Sequence, residues 1–439
     1  MRSPARKASA WVVPAWRRNR RSLGWLSISA QLEALMSVLG TVILVRVAGL
    51  EETGSVVVAI AFAALVFVLI DPRLEDSLQK FVPQISRSTQ GAVFATVRRL
   101  VLLDVVLGMC GAALLSLLIM TTSLPRWLGV PSEFLLLAAV ASGLATSQGT
   151  VGACYAVTGS LDSLAKLRCA LFSGLAVASG AAAITLGPVG YLGALLVGQG
   201  VVTVVLVHRG LRQVSQRWPG RLSAIVPRGF LRFTLLSSAS TSAAVGSESA
   251  VVTVAGALAG PPVAAGIKIA LGPGRLLLAA LSPLWAVLFP RLSVLAADGK
   301  PENIGHICRR VTVLVALCSL PVLLGAVVLL PDLLVLVYGS AAKVFTSAAV
   351  VGVLAYSVKA AVGWSKVMPL ALGRPGLKLA VTAGEGVVLM ALLLLLLPPT
   401  ADDDASAAMA VLGAYAVAAT AVAVVWLALL HRLTRLDVT

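Results

Sequence analysis

The chain has 439 residues, of which 59% are hydrophobic and 12% charged, with a mean hydropathy of +0.97. Such values exclude a water-soluble domain and a disordered tail, and describe a polytopic membrane protein. The formal charge of +17 does not point to nucleic acid, because the bases are dealt out to alternate loops rather than gathered in one patch.

Apolar runs of about 18 to 25 residues can each cross a bilayer as a helix. Twelve are predicted, at 24–47, 54–70, 100–121, 134–156, 168–187, 189–208, 233–256, 262–289, 311–330, 348–371, 379–397 and 407–430. They divide into a basic tail (1–23), a first lobe (24–208), a basic linker (209–232), a second lobe (233–430) and a short tail (431–439). Seven bases precede residue 23, five lie in 73–99 and six in 209–232, whereas only Arg46, Arg126 and Lys343 occupy the opposite loops. The positive-inside rule then sets both ends in the cytoplasm, with the basic face against anionic lipid headgroups. Residues 1–22 lack the apolar core of a signal peptide.

Little else in the chain suggests chemistry. The 5 cysteines are scattered and the 3 histidines stand singly at span ends, so no metal, disulfide framework or other cofactor is expected. Glu51-Glu52 could be read as the acidic pair of a membrane glycosyltransferase, but the chain from Gly49 to Gly54 is only a tight turn, too small to hold an acceptor. Asp402-Asp403-Asp404 reads as a solvated turn rather than a cation site. No enzymatic activity is expected.

The two halves look duplicated. Gly49 and Pro83 are echoed by Gly256 and Pro290 after a shift of 207, and Arg98-Arg99 by Arg309-Arg310 after a shift of 211. Repeated halves of this kind carry a substrate site at their interface.

A charge at the centre of a membrane helix costs about 2.5 to 3.5 kcal/mol on insertion scales, so it faces a partner or a wet cavity. The candidates are Glu33 in span 1, Glu248 in span 7, Lys268 and Arg275 in span 8, Lys359 and Lys366 in span 10, and Glu385 in span 11. Lys268 and Arg275 are two helical turns apart on one face, and Gly272-Pro273-Gly274 between them is expected to kink or unwind the helix, as at a transport site. They are read as substrate-binding, with Glu33, Glu248, Gly272, Pro273 and Gly274 in coupling or gating. Depth along the hairpin pairs Glu248 with Lys268, unless Lys268 meets substrate, and sets Arg275 opposite Thr241. Arg275 is left to reach across to Glu33, and Lys359 pairs with Glu385. Cations in the second half's spans outnumber acids four to two, which favours an anionic substrate.

Several loop words resemble a known family. Ser247-Glu248, Val254-Ala-Gly-Ala-Leu, the run Pro283 to Leu292, Asp298-Gly-Lys, Val337-Tyr338-Gly339-Ser340 and Leu372-Gly373-Arg374 are similar to the second half of polysaccharide repeat-unit (O-antigen, Wzx-like) flippases. Arg46 to Gly54 and Asp71 resemble that family's first two spans. These flippases belong to the multidrug/oligosaccharidyl-lipid/polysaccharide (MOP) exporter superfamily. The resemblance implies an all-α fold of two six-helix lobes around a V-shaped cavity in the bacterial cytoplasmic membrane. It also implies export of polyprenyl-pyrophosphate-linked oligosaccharide, alongside a polymerase or glycosyltransferases. Lys268, the Gly272-Pro273-Gly274 triplet and Arg275 depart from the family's usual span 8. A drug or metabolite exporter of the same superfamily and a non-transporting scaffold are the other readings.

Overall fold

The computed structural model describes residues 5–220, 222–298 and 301–433. Residues 1–4 and 434–439 of the two basic tails, Arg221 of the linker and the Gly299-Lys300 pair lie outside them. Among the described residues the structure is helical without strands: α1 (Ala5–Ile70), α2 (Leu74–Ser88), α3 (Val93–Thr121), α4 (Leu124–Leu128), α5 (Ser132–Ala145), α6 (Ser147–Thr158), α7 (Leu161–Arg217), α8 (Phe230–Ala259), α9 (Pro261–Ala297), α10 (Pro301–Tyr338), α11 (Thr346–Ala361), α12 (Met368–Ala371), α13 (Pro375–Leu396) and α14 (Asp404–Leu433). Among the described residues, ten stretches are long and apolar enough to cross a membrane. Two of these, 62 and 57 residues long, break at Gly49 (φ 78, ψ −177) and Gly187 (φ 66, ψ −153). Each is therefore two spans, which gives the expected twelve in a multi-pass membrane protein.

Those breaks need glycine. A positive φ with ψ near 180° is a region that side chains exclude, and Gly260 (φ 91, ψ 165) and Gly339 (φ 99, ψ 173) adopt it as well. The duplication is thereby re-registered. Gly256, expected to match Gly49, sits inside α8 with its Cα against Val58. The conformational counterpart of Gly49 is Gly260, after a shift of 211 (260 − 49), the same shift as between Arg98 and Arg309. Left-handed turns at Gly159 (φ 77) and Gly373 (φ 69) repeat likewise, 214 residues apart (373 − 159). Short words of Val, Ala and Gly recur by chance in apolar sequence, whereas a backbone shape open only to glycine does not.

The packing follows from small residues in apolar helices. Gly108 of α3 and Gly143 of α5 approach so closely that a Cβ on either would strike the other's carbonyl. One buried core runs through both halves near the glycine turns, joining Leu44 and Val56 to Val252, Ile267 and Phe345. Towards the basic face the core divides. One part gathers Leu78, Phe81, Val97, Tyr155 and Phe230, the other Trp285, Leu292, Trp364 and Trp426. The halves thus share one core at one face and hold two cores at the other, where α8 is the element of the second half that reaches across, with Phe230 in the first half's core. Asp403 accepts the Ser406 N–H at 2.9 Å and the Ser406 hydroxyl at 2.5 Å and so caps α14, which accounts for that acidic turn as a helix start. These hydrogen bonds hold its carboxyl below the usual carboxylate range.

Candidate functional site

Between the fused core and the divided one lies a cavity of 480 Å³ at mid-depth. The first-half wall is supplied by α1, α5 and α7, with Ser37, Thr41, Ser142, Ser179 and Gln199 as uncharged polar groups. Gln148 Nε2 donates to Gln199 Oε1 at 2.7 Å and so fixes that amide. The second-half wall comes from α8 and α9. Four charged side chains reach the cavity, Glu33, Glu248, Lys268 and Arg275, beside the Tyr191 phenol.

The four charged residues read from the sequence as substrate-binding or coupling therefore meet in one place, but not in the expected pairs. Arg275 binds Glu248, with Nη2 at 2.5 Å and Nε at 2.8 Å from Oε1. Tyr356 of α11 donates its hydroxyl to the same oxygen at 2.7 Å. The expected registers, Glu248 beside Lys268 and Arg275 beside Thr241, are thus corrected. Counted from the Gly260 turn, Glu248 is 12 residues back and Arg275 15 residues on (260 − 248 and 275 − 260), against only 8 for Lys268. At 1.5 Å per residue the Glu248–Arg275 offset is about 4.5 Å, which a guanidinium spans easily.

Gly272-Pro273-Gly274 does not unwind α9, which is helical from Pro261 to Ala297. The glycines supply room instead. A Cβ on Gly274 would strike the Tyr356 ring, and one on Gly272 would lie 3.8 Å from the Tyr338 hydroxyl and from Val38. Without a side chain at 274, Tyr356 can come in behind Arg275 and reach Glu248. The hydrogen bond lost at Pro273 is tolerated because α1 and α11 pack against this segment.

Tyr356 and Lys359 lie one turn apart on α11, so the polar network continues along that helix. Lys359 Nζ is 2.7 Å from Glu385 Oε1 and 2.9 Å from the Tyr415 hydroxyl, and the Tyr356 and Tyr415 rings are 5.7 Å apart. The Lys359–Glu385 pair is as expected from the sequence. The two tyrosines have no charge pattern to announce them, and only the fold brings them in.

Glu33 does not touch Arg275. It faces the cavity from α1, and the cation acting on it is Arg168 of α7, in its own half. The expected cross-half contact rested on depth alone, which is blind to which way each helix face turns. Lys268 is left over. Its neighbours Ile267 and Ile269 are fully buried, it lines the cavity, and among the described residues it has no hydrogen bond or ion pair.

Counting charges by location changes the expected cationic excess. Arg275 and Lys359 are neutralised by Glu248 and Glu385, and Lys366 is exposed at a helix end. The four cavity groups sum to zero, with Lys268 the cation that lacks a direct partner.

No family model matches the chain, and no curated protein matches it. Solved structures do. A multidrug resistance MATE family transporter of the MOP superfamily in its outward-facing conformation aligns with a TM-score of 0.68 at 14% identity, covering 95% of this chain and 96% of that one. A mutant of the Vibrio cholerae MATE transporter VcmN aligns with a TM-score of 0.65 at 13% identity over 94% and 97%. A MOP superfamily transporter from Pyrococcus furiosus, described by a binding pocket of reverse polarity that suggests a different function, aligns at 0.64 and 13% identity over 95% and 96%. At such identities the likeness is one of architecture, and the chain has the twelve-helix, two-lobe fold of the MATE transporters of the MOP superfamily.

Proposed function

We propose that this protein is an alternating-access transporter that carries an amphiphile with an anionic polar end across the cytoplasmic membrane of a bacterium, both of its own ends being cytoplasmic. A polyprenyl-pyrophosphate-linked oligosaccharide is the leading substrate, and the reading involves no covalent chemistry. The observation that carries it is Lys268, a cation without a counter-ion in direct contact, in the wall of a cavity between two halves that share one core at one face and keep two cores at the other. A phosphate supplies the missing counter-ion, and desolvating both charges together is far cheaper than leaving either alone in hydrocarbon. The opposite wall of hydroxyls and the Gln199 amide, which Gln148 holds in place, suits sugar hydroxyls. Lys268, rather than Arg275, is then the primary substrate contact, with Arg275 held beside it by Glu248 and Tyr356.

The test is Lys268→Met against Lys268→Arg in a cell-based export complementation assay, with membrane insertion checked by a fluorescent fusion. Loss with methionine and retention with arginine support the reading; full activity with methionine sinks it. A second reading, export of a drug or metabolite, is favoured by two observations. The 480 Å³ cavity falls within the size range of small-molecule pockets, and its four charges cancel. Native mass spectrometry of the purified protein separates the two, since a co-purified polyprenyl phosphate species belongs only to the first.

A further inference from the structure

Away from the cavity, towards the basic face of the first half, Asp104 of α3 is buried to 1% exposure. Its Oδ2 accepts the Thr150 hydroxyl of α6 at 2.5 Å, and its Oδ1 has no hydrogen-bond partner. The charged groups acting on it are Asp71, Glu75 and Arg73, while α5 and α7, which also pack against α3, bring none. Arg73 is committed elsewhere. Its Nε is 3.5 Å from Asp71 Oδ2 and its Nη1 3.6 Å from Glu75 Oε1, and its own N–H donates to Asp71 Oδ1 at 2.8 Å. Three carboxyls therefore share one guanidinium that already serves two of them. Burying the third as an ion without a cation in contact would cost several kcal/mol.

The same short segment also fastens the first half to α8. The Pro72 carbonyl accepts from Ser238, Asp76 from Ser237, and Ser77 and Thr234 share a hydroxyl hydrogen bond at 2.7 Å. On either side of these bonds, the Val68 carbonyl accepts from Ser242 at 2.7 Å, and Phe81 packs on Phe230 at 5.4 Å between ring centroids. Arg73 stands at the pivot in a left-handed conformation (φ 46, ψ 56), alone in this among the described non-glycine residues. That conformation costs about 1 to 2 kcal/mol in an ordinary side chain and is held by what surrounds it.

We propose that Asp104 is a proton-binding site and that its proton controls this α2–α8 latch. The proposal rests on the reading of the chain as an alternating-access transporter and supplies its coupling ion. With a proton on Oδ1, Asp104 is neutral, Arg73 serves Asp71 and Glu75, and the latch closes as seen. When the proton leaves for water, a third buried negative charge appears beside two others. Arg73 is drawn from its strained position, and the 71–77 segment lets go of α8. One proton is gained and lost per cycle, and no other covalent bond changes. Inorganic cations are the competing ligands for three carboxylates, but among the described residues no group of acids is arranged to hold a metal ion.

Spin labels on Gln84→Cys and Leu231→Cys, exposed positions of α2 and α8, read the latch by pulsed electron resonance in liposomes, with Cys110, Cys169 and Cys318 changed to serine. In otherwise wild-type protein the ratio of closed to open distances should fall as pH rises, by up to about tenfold per unit for one proton. Asp104→Asn, which mimics the neutral acid, should stay closed at every pH. If that variant does not assemble, Thr150→Ala replaces it: losing a hydroxyl that stabilises the carboxylate should move the midpoint of the exchange upward. A wild-type latch indifferent to pH, an Asp104→Asn protein that opens like wild type, or an unmoved midpoint in Thr150→Ala overturns the proposal. The labels report shape without substrate, so this failure is distinct from failure of the transport reading, which the Lys268 assay reports.

Discussion

Breaking the Glu248–Arg275 pair should destabilise the second half by an amount set by its partial burial. The side chains are 31% and 34% exposed, both to the cavity. A fully exposed pair is worth about 0 to 1 kcal/mol, and stripping one partner from a fully buried one costs about 3 to 5 kcal/mol. At this exposure we take about 2 kcal/mol for Arg275→Met, which leaves Glu248 with only the Tyr356 hydroxyl. At the usual unfolding entropy per residue, that is a drop of roughly 2 °C in a chain of this size. The assay is fluorescence-detected thermal unfolding in detergent on wild type, Arg275→Met, Glu248→Gln and the double variant. Because each single change orphans a partner, the double variant should lose less than the sum of the singles. Strictly additive losses, or an Arg275→Met protein as stable as wild type, would refute the pairing. The same numbers explain why Arg275→Ala is a poor probe of substrate binding: it strips Glu248 as well.

Other changes should separate roles that look alike in sequence. Gly49→Ala and Gly260→Ala force a side chain into a conformation reserved for glycine, costing about 1 to 3 kcal/mol each; Gly325→Ala, with open space around it, should be neutral in the same thermal assay. Arg46 donates to the Leu336 and Val337 carbonyls at 2.5 and 3.0 Å, closing the end of α10, where the helix dipole favours a cation. Arg46→Ala should raise the labelling rate of a cysteine placed at Ser340, while Arg46→Lys has a smaller effect. Glu385→Gln should be milder than Glu385→Leu in thermal stability, because the amide oxygen still accepts from Lys359, itself also bonded to Tyr415.

Spans, hinge glycines and cavity residues were legible in the sequence to different depths. Hydropathy finds the twelve spans because lipid forces every backbone group into a helix, and intramembrane charge finds the four charged cavity groups because such charge must face something polar. Pairing was legible for Lys359 and Glu385, on consecutive spans, but not for Arg275. Which carboxylate meets Arg275 depends on helix rotation and on the reach of a long side chain, and Gly274 owes its role to Tyr356, a residue 82 positions away (356 − 274). Asp104 was in plain view as a lone acid in the run Leu102-Leu103-Asp104-Val105-Val106, and intramembrane charge is the signal that marks it; being close to a basic loop, it passes for a span-end residue. Its three charged neighbours come from a different helix and its connection, which no local pattern reports.

The turns at Gly49, Gly187 and Gly260 each spend a single non-helical residue between spans. On that face the protein therefore offers almost no backbone for a protease to bind or an antibody to grip, apart from the segments at 122–131, 340–345 and 398–403. Any membrane protein that docks on it has to recognise helix surfaces within the bilayer, or the loops of the basic face.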